Sequence, residues 1–197
     1  GDYGVCGFTD IANYGSLVPF VSLNGAVATQ AYVNVDNGIN FIESLDSNSD
    51  ISNLGNKIIN KDCDKNMRQM IAINNKSYFE WTGKDIIDWK GSIIGDNFVI
   101  SGNCMKNKTV LEAAASYFLK NKKQDFSLRL IKSIQAGERA GGHINIVNYY
   151  DQESKKYIKK TTTDIFGNMM SAAVIIASLK PKLWHNLRVD AHPKAIF

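Results

Sequence analysis

Hydrophobic and polar positions along this chain recur with two periods, and the switches between them mark out the elements. GVCGFT at 4–9 predicts a short strand, and SLVPFVSLNGAVATQAY at 16–32 predicts extended chain in which Pro19 marks an edge or bend. Behind Asp36, read as an N-cap, Ile39, Ile42 and Leu45 return at helical spacing. SDISNLGNKIIN at 49–60 gives a second helix with Ile51, Leu54 and Ile58 on one face. NMRQMIAI (66–73) and SYFEW (77–81), joined by the polar NNK, predict a hairpin, and GSIIGDNFVISGN (91–103) predicts a strand pair turning at GDN. Two more helices follow. KTVLEAAASYFLKN (108–121) carries Val110, Ala114, Tyr117 and Phe118 on one stripe, and DFSLRLIKSIQAGERAGG (125–142) is capped by Asp125 and stopped at Gly141.

The last third reads as β-structure throughout. HINIVNYY (143–150) and KKYIKKTTT (155–163) alternate as a hairpin, SAAVIIAS (171–178) is continuous enough to be buried on both faces, and LWHNLRVD (183–190) closes the set. Hairpins dominate and βαβ alternation is missing, which argues against a doubly wound parallel sheet. The order of strands, two helices, strands, two helices and strands predicts an α+β fold. Its expected form is a four-layer α-β-β-α sandwich of two antiparallel sheets covered by helices.

Composition narrows the function classes. A chain of 197 residues, 44% hydrophobic and 21% charged, suits one folded domain spanning 1–197. The net charge of +4 comes from scattered lysines with no aromatic interleaving, so nucleic acid is not an expected partner. No apolar run approaches the ~20 residues that span a bilayer, so no membrane partner is expected either. Cys6, Cys63 and Cys104 are odd in number and form no CxxC, which excludes a full disulfide framework and points to free thiols in a reducing, cytoplasmic setting. HxH and HExxH spacings are missing, so no metal is expected. GERAGG (137–142) follows a helix and lacks the order of a phosphate loop, so no cofactor is expected.

Three places remain where acid–base or oxyanion chemistry can sit. NGAVATQAY (24–32) ends a strand with Thr29 and Gln30 side by side, either lining a pocket or simply closing the strand. SGNC (101–104) ends another, where the Asn103 amide can donate to a developing oxyanion, although Gly and Asn also suit a plain turn. In RVDAHP (188–193), Arg188, Asp190 and His192 share a face if the strand continues, forming either an acid–base group or a strand-end salt bridge. Cys6 reads as a core residue, and Cys104 would serve as a nucleophile only with a histidine beside it. His143 and His185 fall inside predicted strands, and Arg68 and Gln69 point to opposite faces of theirs.

In order along the chain, GAVATQAY, RQMIAI…YFEWTGK, GDNFVISGN…VLEAAASYF, AGERAGG and NLRVDAHP resemble a bacterial and archaeal domain-of-unknown-function family. It is the family numbered one thousand and twenty-eight, described as similar to N-terminal-nucleophile (Ntn) hydrolases. The similarity runs from about Gly4 to the C-terminus. It implies the four-layer fold and a hydrolase of amide or peptide-like bonds. Family members begin with a strand reading Thr-Phe-Ser-Ile, whereas this chain opens at the turn after it. The nucleophile implied is therefore upstream of Gly1, and the domain is expected to lack its first strand. Thr29, Gln30 and Asn103 would supply pocket floor and oxyanion donors, and Arg188, Asp190 and His192 charge. Residues 143–166 are expected to be an inserted hairpin. The alternative is a non-catalytic binding or assembly protein, a homo-oligomer using that insert for partner contacts.

Overall fold

The computed structural model describes residues 1–46, 48–87, 89–144, 146–161, 169–182 and 185–193, with the backbone alone described at 146–149, 161, 169–170 and 191–193. The chain opens with β1 (Tyr3–Thr9), the four-residue α1 (Tyr14–Leu17), β2 (Pro19–Ser22) and β3 (Gly25–Ala31). The stretch expected to be one extended run is thus a helical turn followed by a hairpin. Ser22 Oγ accepts from the Asn24 backbone N–H at 3.1 Å and the Asn24 amide donates to Leu45 O at 3.1 Å, which turns the chain before β3. Pro19 starts β2, where a missing N–H is tolerated.

Helix α2 (Val35–Ser44) is capped by Asn34, not Asp36: the Asn34 side chain accepts from Asp36 N, and Asp36 sits in the first turn, where a carboxylate favours the helix dipole. Helix α3 (Ile51–Ile59) is capped by Asp50. Then come β4 (Arg68–Ile73), β5 (Tyr78–Thr82), β6 (Trp89–Gly95), β7 (Phe98–Met105), α4 (Thr109–Lys120) and α5 (Phe126–Arg139), the last capped by Asp125 as expected. The chain closes with β8 (Ile146–Asp151), β9 (Lys156–Thr161), β10 (Met169–Ala177) and β11 (Asn186–Pro193).

All strand pairings are antiparallel, and the described residues form a mixed α/β structure with five helices and four sheets, β2-β3-β4-β5, β1-β10-β11, β6-β7 and β8-β9. Two sheets were expected. The count differs because β1 and β7 do not hydrogen-bond to each other and, among the described residues, β8 and β9 pair only with one another.

Strand alternation sorts the core. From the β2–β5 sheet, Val27, Met70, Ala72 and Phe79 point to one face and pack on Phe41, Ile51 and Ile59 of α2 and α3. Each such side chain contributes about 1.5–3 kcal/mol when fully buried. On the opposite face, Ala28 and Ile71 meet Tyr14, Val18 and Ala173. Ala115 and Phe118 of α4 pack on Phe98, while Ile131 of α5 packs on Val174 and Ile176. The continuous apolar run of β10 is buried on both sides as expected, with Ala173 facing one layer and Val174 the other, both at 0% exposure.

A buried ion pair ties these parts together. The Arg68 guanidinium grips Asp62 through Nε (2.9 Å) and Nη2 (3.2 Å) and donates to Tyr32 O at 2.6 Å, and the Asn34 and Asn37 amides donate to Asp62 Oδ2 at 3.0 and 2.6 Å. One carboxylate thereby joins the start of α2, the segment after α3 and the first residue of β4. Burial alone would raise the Asp62 carboxyl, but the hydrogen bonds from Arg68, Asn34 and Asn37 outweigh it and hold the group at about 2, against an ordinary 3.8. A depressed carboxyl contributes stability that is fully present above its unfolded value and is lost as pH falls through the folded one. Denaturant melts should therefore show about 2 kcal/mol of stability disappearing between roughly pH 4 and pH 2. Asp62→Asn should remove that component of the acid slope and cost about 1–3 kcal/mol at neutral pH, because it leaves the buried Arg68 guanidinium with only the half-exposed Asp64 carboxylate and the Tyr32 carbonyl. A variant with an unaltered acid slope would show that Asp62 is not the group responsible.

Candidate functional site

Register brings Gln30, Gln69 and Thr82 into one row across β3, β4 and β5. Their side chains project from the sheet face opposite α2 and α3, toward β6 and β7. Gln69 is fully buried, and its amide is matched at both ends. Its Oε1 accepts from Gln30 Nε2 at 2.7 Å and from Asn103 Nδ2 at 3.2 Å. Its Nε2 donates to Thr82 Oγ1 at 3.0 Å and to Gly102 O at 3.2 Å. Because a backbone carbonyl can only accept, the orientation of this amide is fixed by the network itself. Gln30 Nε2 also donates to Ser101 Oγ at 3.0 Å, so both its protons are engaged. The row continues through Glu80, which accepts from Thr82 at 2.5 Å and from Ser92 at 2.9 Å. Asn103 has one Nδ2 proton on Gln69; no other side-chain hydrogen bond involves its Nδ2 among the described residues.

Gln30, Ser101 and Asn103 line a cavity of about 990 Å³ whose walls are β1, β7 and the helices α4 and α5. β1 and β7 lie in the same layer. Both rest on α4–α5, and both face the β2–β5 sheet. They also run in the same direction. At one end, Phe126 and Leu130 of α5 pack with Phe98 and Ile100 of β7, and a Cβ on Gly4 of β1 would stand 2.9 Å from Leu130 and 3.1 Å from Phe126. At the other end, Asp10, just past β1, lies 3.4 Å from His143 Nδ1, and His143 bridges Met105, the last residue of β7. Apart from that bridge, the facing edges of β1 and β7 have no ladder partner among the described residues. Gly1 and Asp2 line the cavity at the Phe126 end, Asn103 and Asp10 at the other.

The residues expected from sequence are only partly brought together. Gln30 and Asn103 share the cavity and meet through Gln69. Thr29 does not join them: it is fully buried on the opposite face of β3, with Oγ1 donating to Asn34 O at 3.4 Å, because neighbouring strand residues point oppositely. Asp190 pairs with Arg188 at 2.9 Å near the surface, and Arg188 also donates to Ser16 Oγ at 2.5 Å, which is the strand-end salt bridge. Proximity within the strand holds that pair together. The His192 backbone pairs with Met170, and its side chain lies outside those described.

Cys6 is a core thiol that burial pushes well above its ordinary range. The Cys104 sulfur faces Ile87 O at 3.9 Å, and its backbone is left-handed, with φ 52°. The groups missed by sequence reasoning are Gln69, read only as facing away from Arg68, and the Asp10–His143 pair. Among the described residues, three metal-type ligands converge only at Asp62, Cys63 and Asp64, and both carboxylates there are engaged by Arg68.

A family model described as "Family of unknown function (DUF1028)" matches residues 1–149. Among solved structures, protein SPO2555 from Silicibacter pomeroyi, a DUF1028 family-model protein, superposes with a TM-score of 0.75 at 24% identity, covering 98% of this chain and 75% of that one; the likeness is one of fold. A search of curated proteins finds no match. With its match running from the first residue through the polar row, the cavity and the double glycine, the chain belongs to the DUF1028 family of unknown function.

Proposed function

We propose that this chain is a hydrolase of amide or peptide-like bonds, organised as a four-layer α-β-β-α sandwich and acting through an N-terminal nucleophile on a strand that precedes Gly1. The observation that carries this reading is the cavity between β1 and β7. Two strands that share a layer, run in the same direction and leave facing edges unpaired have room for one antiparallel neighbour. A strand turning into β1 at Gly1 and Asp2 would run back along the slot. Its leading residue would then reach the end where Asn103 and Gln30 stand. The leading α-amine would take the proton of its own hydroxyl or thiol as that atom attacks the carbonyl carbon. The C–N bond would break, the proton would pass to the leaving nitrogen, and water would release the acyl group.

Within this reading the two amides divide the work. Asn103 keeps a second Nδ2 proton and is the oxyanion donor. Gln30, with both protons engaged on Gln69 and Ser101, positions the cluster. Thr29 supports β3 from its helix side, and Asp190 and His192 stay with β11.

N-terminal sequencing and intact mass of the protein from its natural source should find Ser, Thr or Cys leading a segment upstream of Gly1. In that protein, Asn103→Ala should slow hydrolysis of a chromogenic anilide by about 10²–10³, far more than the loss of about 1 kcal/mol of stability expected from its bond to Gln69. A rate equal to the parent's removes Asn103 from the mechanism.

A specific surface favours the binding reading as well. On the β8–β9 ribbon, Tyr150 and Tyr157 are 41% and 74% exposed with ring centroids 5.3 Å apart, flanked by exposed Lys155, Lys156 and Lys159. An isolated two-stranded ribbon is marginal in water, so this hairpin, which we read as an insert, gains most from a partner sheet such as a second copy. Deleting 146–161 should lower the mass measured by light scattering from oligomer to monomer, and an unchanged mass counts against the assembly role.

A further inference from the structure

Four features converge on one side chain at the polar end of the cavity. The first is the Gly-Gly turn after α5. Gly141 and Gly142 have φ +132° and +59°, a left-handed backbone that glycine adopts without strain and that lets the chain double back here. The second is the backbone clamp that follows. Lys106 N donates to Gly142 O at 3.1 Å and Ile144 N donates to Cys104 O at 2.6 Å, which locks residues 142–144 onto the end of β7. Third, His143, between those two bonds, bridges Met105 and lies 3.4 Å from Asp10 through Nδ1, with side-chain exposures of 9% for His143 and 13% for Asp10. Fourth, both residues line the same cavity as Gln30 and Asn103. A carboxylate facing Nδ1 favours the tautomer with its proton there and leaves the Nε2 lone pair as a base. At 3.4 Å the two groups are in ion-pair contact without being aligned as a hydrogen bond to each other, and acid–base pairs are often misaligned before substrate arrives.

We propose that His143, oriented by Asp10, is the proton-transfer group of this cavity and serves the second half of the hydrolysis proposed above. This rests on that reading. Water attacks the acyl carbon and its oxygen forms the new C–O bond, while one of its protons passes to Nε2 of His143. The bond from the acyl carbon to the nucleophile's oxygen or sulfur breaks, and Nε2 returns the proton to that atom. The products are a free acid and a regenerated nucleophile. Asp10 is a positioning residue, because it acts only through the imidazole. The Gly-Gly turn, which resembles no phosphate loop, has its use here: it delivers His143 to the end of β7.

Two measurements on the natural full-length chain test this. In ¹⁵N spectra of histidine-labelled protein, neutral His143 should carry its proton on Nδ1, and Asp10→Ala should shift the population toward Nε2–H. A parent protein already in the Nε2–H form overturns the proposal. With p-nitrophenyl acetate as the probe, the parent should turn over steadily. His143→Gln should release about one equivalent of p-nitrophenol, retain the acetyl group by intact mass, and then turn over about 100-fold more slowly. Asp10→Ala should lower kcat with little change in KM, and both variants should keep the parent's melting temperature. Steady turnover by His143→Gln within about twofold of the parent sinks the role of His143 and leaves the hydrolase reading standing. A parent that shows neither burst nor turnover sinks the hydrolase reading, and the proton-transfer role with it.

Discussion

A side-chain amide taken out of water has to be matched at both ends, and Gln69 is the place where this fold meets that demand. Leaving a buried donor or acceptor unpaired costs about 1–3 kcal/mol. Gln69 avoids that cost by drawing on Gln30 and Thr82 from its own sheet and on Asn103 and Gly102 from β7. The match exists in one register only. A one-residue slip of β4 would turn Gln69 into the apolar layer of Phe41, Ile51 and Ile59 and carry Met70 into the polar row. One amide thus fixes the pairing of β3, β4 and β5 and the approach of β7, and it is also the floor of the candidate site.

The residue before it secures the other face. Arg68 points toward α2 and α3, where Asp62 receives it together with two asparagine amides. Successive residues of β4 are therefore anchored in opposite directions, one by charge and one by amides. The ion pair offsets its desolvation only while its geometry and its extra hydrogen bonds are kept. The polar row is held rigid from behind, as preorganised donors require.

Sequence made the local devices legible. Asp125 as a cap, the turn at GDN and the doubly buried run of β10 each depend on residues close in the chain, where propensity and period are set. The neighbouring devices it misplaced were those decided by contact with distant parts. Asn34 displaced Asp36 as the cap because its amide also reaches Asp62. Thr29 and Gln30 looked equivalent at a strand end, yet strand parity allows only one into the cavity, and which one depends on the side from which α2 covers the sheet. Arg188 and Asp190 met because they are two residues apart in a strand. Asp10 and His143 stand far apart in sequence, and no periodicity links them. The one visible signal was the paired glycine at 141–142, whose positive φ values only make sense once the chain must return to β7. Two facing but unbonded edges, β1 and β7, have no sequence signature at all.

Those two edges set terms for whatever lies between them in the reading proposed here. An inserted strand would present alternate side chains to the two neighbouring layers. On one side it would meet Leu111, Ala114 and Leu130 from α4 and α5, and on the other Ala28 and Ile71 from the β2–β5 sheet. Both surroundings are apolar, so the strand should be built from apolar and small residues that such layers can bury, as β10 is with its alanines and buried Ser171. Water cannot satisfy side chains there, but it and the amides can at the far end, beside Gln30, Asn103 and the Asp10–His143 pair. The leading position is the one that would reach these polar groups, and it is the position with a free α-amine. In that reading the walls of the slot favour the same arrangement the chemistry needs, a short strand of apolar and small residues with a reactive polar residue at its head.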